Sequence, residues 1–377
     1  MREGWTYKKL GEVATFSRGL TFSKNDEVEF SKNVVLRSNN IDLLSGKLDF
    51  SELKYLNERF EIPSDKRVKL GSLFICMSNG SKAHLGKVAY IDKDYGYAYG
   101  GFMGLISPIN DVNGLYLRYV LTSPQYKEFI KSLSEGANIN NLKFKDLSEY
   151  IIPLPPLPEQ QSIVSRLDAA FTQIDELKTN AERQLAEACA LFQKALTESM
   201  TPKDGWRNFV FSEIIKLQSG DYLSSKDYVD GEYPVYGGNG IAGYHNQFNK
   251  DGITIVVGRV GALCGNVHYV DSPIWLTDNG FEVIVKKDID LDMFFLCWYL
   301  RFLDLGKYAR QAAQPVISNS SLKDIVLYLP PLSEQQAIVS RLDALSENVR
   351  RYEEIQQKTI TECDALKQAL LREIFEE

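Results

Sequence analysis

The sequence predicts an α+β fold organised as a pseudo-twofold tandem repeat, with two mixed α/β domains separated by two long antiparallel coiled-coil helices. The first supporting observation is a repeated segment. Residues 155–169 read PPLPEQQSIVSRLDA and residues 330–344 read PPLSEQQAIVSRLDA, so 13 of 15 positions are identical at a separation of 175 residues. Identity at this level indicates an internal duplication.

Each repeated segment is predicted to open a long helix, because its prolines suit a helix start and a heptad pattern follows. The first seam comprises Ile163, Leu167, Ala170, Ile174, Leu177, Ala181, Gln184, Ala188, Leu191 and Ala195. The second comprises Ile338, Leu342, Leu345, Val349, Tyr352, Gln356, Thr359, Cys363, Leu366 and Leu370. The simplest arrangement packs the two stripes antiparallel; packing of each helix on its own domain or on another chain is the alternative.

The repeat also predicts the domain boundaries. These are 1–152 for domain 1, 153–200 for the first helix, 201–329 for domain 2 and 330–377 for the second helix. Strands are predicted at 72–78, 87–92, 253–259 and 281–287, and helices at 115–133 and 293–311.

Composition limits the class of protein. The net charge is −7, yet residues 1–150 carry 21 Lys and Arg against 18 Asp and Glu, while residues 201–330 carry 12 against 15. Local basic faces are therefore compatible with the sequence, although no domain is strongly basic. The longest apolar run, residues 294–300, is too short to span a membrane. Five scattered cysteines without a C-x-x-C pair indicate a reducing, cytoplasmic location.

No catalytic motif is present. The segment GSKAHLGKV from Gly80 fails the spacing of a phosphate-binding loop and is interpreted as a turn. The three histidines are far apart in sequence, and no H-x-x-x-H or Cys/His pattern predicts a metal site. The sequence therefore predicts a protein that acts by binding.

The LPPLxEQxxIVxxLD pattern at the start of each long helix, following a variable domain each time, resembles the specificity subunit of type I restriction-modification systems. The resemblance covers the whole chain. It implies two target-recognition domains that each read one half of a split double-stranded DNA sequence. It also implies that the helices act as a spacer and dock two methyltransferase subunits, with two motor-nuclease subunits completing the complex. S-adenosylmethionine, ATP and Mg²⁺ would be bound by those partners, and this chain would be non-catalytic.

Base readout needs side chains with paired donors and acceptors on exposed loops. Lys24 and Lys226 are predicted phosphate contacts. The other DNA-binding candidates are Arg37, Ser38, Asn39, Asn40, Asn79, Ser81 and Lys82 in domain 1, and Tyr236, Asn239, Tyr244, His245 and Arg259 in domain 2. Turn formation explains the Asn and Gly residues of these segments equally well. It is the preferred explanation for Asn140, Asn141, Asn319 and Ser320.

The repeated segments supply candidates for partner binding. These are Glu159, Gln160 and Gln161 in the first copy and Glu334, Gln335 and Gln336 in the second, and helix capping explains them equally well. A structural scaffold and a fused restriction enzyme are rival interpretations. Divergence of the domain interiors beside near-identical helix starts favours recognition, because a symmetric scaffold gains nothing from it.

Overall fold

The computed structural model describes residues 4–42, 46–109, 111–135, 141–286, 289–310 and 314–375, which form two compact units. Unit 1 takes the chain up to Glu182 together with the segment from Gln357 onwards, and unit 2 takes Arg183–Gln356. Each of the two long helices is continuous and contributes to both units.

The first half of the chain contains the elements of domain 1 and the first long helix. Its strands are β1 (Thr6–Lys9), β2 (Ala14–Arg18), β3 (Glu27–Val28), β4 (Asn33–Leu36), β5 (Lys54–Leu56), β6 (Leu73–Cys76), β7 (Val88–Tyr90), β8 (Ala98–Tyr99), β9 (Met103–Pro108) and β10 (Ile151–Leu154). Its helices are α1 (Leu10–Val13), α2 (Gly114–Val120), α3 (Pro124–Glu135), α4 (Phe144–Ser148) and α5 (Leu157–Met200).

The second half repeats this order. Its strands are β11 (Arg207–Val210), β12 (Ile215–Ser219), β13 (Tyr233–Gly237), β14 (Gly240–His245), β15 (Ile253–Gly258), β16 (Val267–Asp271), β17 (Trp275–Leu276), β18 (Gly280–Val285) and β19 (Val326–Leu329). Its helices are α6 (Phe211–Ile214), α7 (Met293–Phe302), α8 (Asn319–Leu322) and α9 (Leu332–Phe375).

The two units share one sheet plan. In unit 1 an antiparallel sheet has the order β2-β9-β6-β7, and a second sheet, β3-β5-β4-β8, contains the parallel pair β4 and β8. Unit 2 has the corresponding orders β12-β18-β15-β16 and β14-β13-β17, in which β13 and β17 are parallel. In each unit a short antiparallel pair, β1 with β10 or β11 with β19, joins the start of the domain to the strand before its long helix. The predicted duplication is therefore confirmed at the level of strand pairing.

Each domain core includes residues from the long helices. Leu371 and Phe375 of α9 are buried in the core of unit 1, where the Phe375 ring lies edge-on to Tyr116 at 5.7 Å between centroids. In unit 2, Leu196 and Met200 of α5 are buried in the equivalent core. The long helices therefore pack on the domain cores as well as on each other.

The helices pair antiparallel inside each unit. In unit 1, Lys178 of α5 donates to Asp364 of α9 at 2.7 Å, and Lys367 is paired with Asp175. In unit 2, the Cys189 thiol donates to Glu353 at 3.2 Å.

In α5 one half of the predicted heptad seam is correct, since Leu167, Ile174 and Ala181 are buried seven residues apart, and the other half is wrong from Leu177 onwards. Leu177 and Leu191 are 53% and 66% exposed, and Gln184 is also exposed, while their neighbours Lys178 and Phe192 face inward. The buried stripe keeps the seven-residue repeat, but its second set of positions lies one residue later than predicted. In α9 the prediction holds except at Leu366, which is 49% exposed.

All four predicted strands are present, but both predicted domain helices are shorter than expected. Residues 115–133 are divided between α2 and α3, because Pro124 lacks the N–H that would continue the first helix. Helix α7 ends at Phe302, and Asp304 follows with a φ of +49°, a left-handed conformation that stops an α-helix. Asn319 and Ser320 begin the short helix α8 and do not form a simple turn; Asn140 lies outside the described residues.

Candidate nucleic-acid interface

Four connections meet at one edge of the sheets in unit 1, and we call them loop cluster 1. They are residues 19–23, 37–40, 78–82 and 100–102. Backbone hydrogen bonds join them: the Leu20 N–H donates to Tyr99 at 2.8 Å, and the Gly100 N–H donates to Leu36 at 3.0 Å. The parallel pairing of β4 and β8 places these sequence-distant loops side by side.

Loop cluster 2, residues 220–225, 237–239, 259–263 and 277–279, has the same backbone connections in unit 2. The Asp221 N–H donates to Leu276 at 2.9 Å, and the Thr277 N–H donates to Tyr236 at 2.9 Å. The Arg259 N–H donates to Asn279 just as the Met77 N–H donates to Phe102 in unit 1. The two clusters are therefore equivalent positions of the duplicated fold.

Glycine is required where the first loop of each cluster crosses the sheet. A Cβ on Gly19 would lie 2.1 Å from the Gly100 carbonyl oxygen, and one on Gly220 would lie 2.1 Å from that of Leu276. No side chain fits at that distance. These glycines hold the first and last loops of each cluster together.

In unit 2 the cluster surrounds an open cleft of about 870 Å³. Its lining includes the polar side chains of Ser224, Asn239, Asn279 and Gln314, together with the 76% exposed Tyr222. Amide side chains present a donor and an acceptor side by side, which is the pattern that the major-groove edge of adenine matches. The cleft therefore suits recognition of a base edge.

The structure leaves most of the unit 1 candidates accessible in loop cluster 1. Asn39, Ser81 and Lys82 are exposed, and the Asn79 amide donates to the Ser38 hydroxyl at 3.0 Å, which ties two loops together. Arg37 is half-buried, and its guanidinium binds Glu52 at 2.8 Å. Lys24 is exposed on a short 3₁₀ turn beside the cluster.

Asn40 is a structural residue and is not available to contact DNA as predicted. Its side chain is fully buried, its amide donates to the carbonyls of Asp49 and Glu52 at 2.8 Å each, and its oxygen accepts from the Arg37 N–H. These bonds use its donors and acceptor, so Asn40 holds the loop and has no group left for a base.

His245 is likewise corrected. It is 6% exposed, its Nδ1 accepts from the Val229 N–H at 3.0 Å, and its ring lies edge-on to Trp275. Its neighbour Tyr244 is 54% exposed, because successive side chains of a strand point to opposite faces.

Of the remaining unit 2 candidates, two are exposed and two are held by contacts within the domain. Asn239 and Lys226 are exposed. Tyr236 is half-buried against His268, and burial raises the pKa of its phenol. Arg259 donates to the Ser219 hydroxyl at 3.2 Å and to the Asp278 carbonyl at 3.1 Å, so its guanidinium fixes loops of the cleft.

The candidates for partner binding are mostly structural. Glu159 accepts from the Trp5 indole at 2.8 Å, and Glu334 accepts from the Trp206 indole at 3.2 Å. Both bonds connect the start of a long helix to the start of its own domain.

Gln160 and Gln335 are corrected as well, since they are 1% and 0% exposed. The Gln160 side chain accepts from the Asn113 N–H at 2.8 Å and donates to the carbonyls of Asp111 and Pro155. Gln335 repeats this pattern with Asp292, Asp290 and Pro330. Both glutamines satisfy buried backbone groups and are closed to a partner.

Packing explains why some residues are identical in the two repeated segments, but another set of identical residues is exposed. It consists of the exposed residues Gln161, Ser165 and Arg166 in the first copy and Gln336, Ser340 and Arg341 in the second. We call this polar set the repeated surface. For most of these side chains no tertiary contact accounts for the identity between the copies.

Sequence reasoning missed several residues of the clusters. Phe102 is 73% exposed at the position equivalent to Asn279, and neither was selected because nothing in the sequence reveals which loops meet. It also missed Asp168 and Asp343, which accept from the Tyr119 hydroxyl and the Trp298 indole respectively.

Within the described parts of the chain, no group of three or more His, Cys, Asp or Glu side chains is arranged to hold a metal ion. The same residues include no helix long and apolar enough to cross a membrane.

Comparison with known proteins gives the family. The model for the type I restriction modification DNA specificity domain matches twice, over residues 2–187 and 203–360. The chain belongs to this family. Each match to the specificity domain contains one loop cluster and the start of one long helix, so the family unit coincides with the unit of duplication.

Specificity subunits of named enzymes are similar to this chain over nearly its whole length. The type I restriction enzyme EcoKI specificity subunit of Escherichia coli K12 is 26% identical, covering 99% of this chain and 89% of that protein. The StySPI specificity subunit of Salmonella potsdam is 25% identical with the same coverage.

Solved structures share the fold. A chain from a study of complex assembly and conformational transition of the type I restriction-modification system superposes with a TM-score of 0.79 at 21% identity, covering 98% of this chain and 97% of that one. The HsdS subunit of Thermoanaerobacter tengcongensis superposes with a TM-score of 0.58 at 21% identity, covering 100% and 97%.

Proposed function

We propose that this chain is the DNA-recognition subunit of a type I restriction-modification complex and that each loop cluster reads one half of a bipartite target. The observation that carries the proposal is the pair of equivalent loop clusters on a duplicated frame, each within its own specificity-domain match. Joining two readers in one chain makes the second contact intramolecular, so two weak half-site affinities combine into useful binding. In this proposal the long helices set the half-site spacing.

The two half-sites are expected to differ. Three residues after the end of β8 and of β17, unit 1 has the ring of Phe102 and unit 2 has the amide of Asn279. Directly after the second residue pair of the parallel strands, unit 1 has Arg37 and unit 2 has Gly237. Different side chains on equivalent backbone read different bases, so the target is asymmetric.

The repeated surface is proposed to dock two copies of one partner, the methyltransferase subunit. A surface that occurs twice with the same exposed side chains offers the same contacts twice. Two motor-nuclease subunits would complete the complex. We assign S-adenosylmethionine, ATP and Mg²⁺ to those partners, and a non-catalytic, cytoplasmic role to this chain.

The decisive experiment maps adenine methylation. Expression of the chain with its cognate methyltransferase subunit in a host without adenine methylation should produce one split, asymmetric methylated motif, read by single-molecule sequencing. Exchange of residues 201–329 for those of a relative should change one half of that motif. Absence of a split motif, or a change in both halves, would overturn the proposal.

A point substitution tests the cleft of unit 2. Asn239→Ala should lower discrimination at one base position of one half-site by about 1–3 kcal/mol, the value of a bidentate amide contact. Competition binding with duplexes that vary at each position measures the effect. Asn246→Ala, an exposed asparagine outside the cleft lining, is the matched control and should leave discrimination unchanged.

A further inference from the structure

A second cavity, which shares Lys82 with loop cluster 1, lies inside unit 1 where the domain meets the long helices. Its volume is about 510 Å³, within the range of small-molecule sites. It is lined by the turn after Ser81, by α2 and α3, and by parts of α5 and α9 that belong to unit 1. No role assigned above uses it.

Its lining is strongly cationic. One carboxylate, Asp42, lies among the described lining residues, against six cationic side chains, namely Lys82, Lys87, Arg118, Lys127, Lys131 and Lys367.

The buried ends of two of these lysines meet neutral groups. The Lys87 ammonium donates to the Ile41 carbonyl at 2.8 Å, and the Lys127 ammonium donates to the Gln368 side chain at 2.6 Å. Burial lowers the pKa of both amines, and the nearby Asp42 carboxylate offsets part of this effect at Lys87. Lys367, in contrast, is paired with Asp175.

Aromatic side chains also line the cavity. Tyr119, Tyr126 and Phe171 line it, and the Arg118 guanidinium lies 5.4 Å from the Tyr119 ring centre. Cationic and aromatic side chains that line one cavity match a ligand that combines phosphate with a flat ring.

The cavity is not a by-product of the duplicated fold. The residue that corresponds to Lys367 at the repeat spacing of 175 is Phe192, whose ring packs against Trp298 at 5.7 Å. Trp298 corresponds to Tyr119, because each donates to the aspartate of the repeated segment, and Arg118 therefore corresponds to Cys297. At these three positions unit 2 therefore has apolar side chains.

We propose that this cavity binds a phosphate-bearing anion of nucleotide size. Two sources supply that chemistry, a free nucleotide and a phosphate of the DNA backbone. Lys82 belongs both to loop cluster 1 and to the cavity lining. The DNA source rests on the function proposed above, and the free-nucleotide source does not.

The test uses the full chain, freed of nucleic acid by nuclease and high salt. Calorimetric titration with inorganic pyrophosphate and with ATP measures the free-nucleotide arm, and duplex binding across a salt series measures the DNA arm. The double variant Lys127→Gln/Lys131→Gln is expected to lose roughly tenfold or more in affinity, as removal of charge-assisted contacts predicts. Lys69→Gln, an exposed lysine of unit 1 outside the lining, is the control.

Loss of pyrophosphate and ATP binding in the double variant alone would support a free nucleotide. A lower DNA affinity and a shallower salt slope in that variant, without nucleotide binding by the wild type, would assign the phosphate to DNA. The proposal is overturned if wild type binds neither probe at millimolar concentration and the double variant binds DNA normally. It is also overturned if Lys69→Gln has the same effect. Circular dichroism of each variant verifies folding.

Discussion

Replacing Gln160 by leucine is expected to lower the free energy of unfolding of unit 1 by about 3 kcal/mol or more. The side chain is 1% exposed and serves three buried backbone groups, those of Asn113, Asp111 and Pro155. Leucine keeps the volume but leaves those groups unpaired, and each unsatisfied buried group costs about 1–3 kcal/mol. Calorimetric melting and urea unfolding measure the loss.

The adjacent Gln161 provides the matched control, since it is exposed and differs by one position in the helix. Gln161→Leu should change stability by less than about 0.5 kcal/mol. Hydrogen exchange adds a local readout: the Asn113 amide should lose protection in Gln160→Leu only. Equal destabilisation by both substitutions would contradict the role given to Gln160. Gln335→Leu is expected to repeat the effect in unit 2.

The largest functional effect is expected from charge reversal on the repeated surface. Arg166→Glu or Arg341→Glu alone should leave one methyltransferase copy bound, and the double variant should bind none at concentrations that saturate the wild type. Reversal replaces attraction by repulsion, and a weakening of at least about tenfold per site is expected. Native mass spectrometry of the mixed subunits counts the copies directly.

Lys194→Glu is the control for that experiment, because Lys194 is exposed on α5 and lies outside the repeated segment. It should retain two copies. If one arginine substitution removed both copies, or the double variant kept two, the repeated surface would not be the docking site. The methylation motif of any residual complex would still test DNA recognition independently.

The sequence permitted prediction of the duplication and the two long helices because neither depends on knowing how the chain packs. Helix periodicity also distinguishes the buried glutamines of the repeated segments from the exposed ones. Gln160 precedes Ile163 by three residues and Leu167 by seven, so it lies on the buried face, whereas Gln161 does not. The same spacing identifies Gln335 relative to Ile338 and Leu342.

The DNA-binding candidates were harder to separate. Asn39 and Asn40 are the same residue type at adjacent positions, and a single 3₁₀ turn exposes one and buries the other. Strand alternation offered a way to separate Tyr244 from His245. Phe102 and Asn279 join their clusters through the pairing of strands that are distant in sequence, which local sequence does not encode.

The sharing of α9 between units has a consequence for the order of synthesis. Leu371 and Phe375 complete the core of unit 1, yet Leu371 follows the end of the first segment of that unit, Glu182, by 189 residues. At translation rates of roughly 5–20 residues per second, the ribosome needs about 10–40 s to cover that distance. Throughout this time the core of the first domain lacks Leu371 and Phe375 and its apolar residues there stay exposed. The first domain to emerge is therefore the last to complete its core.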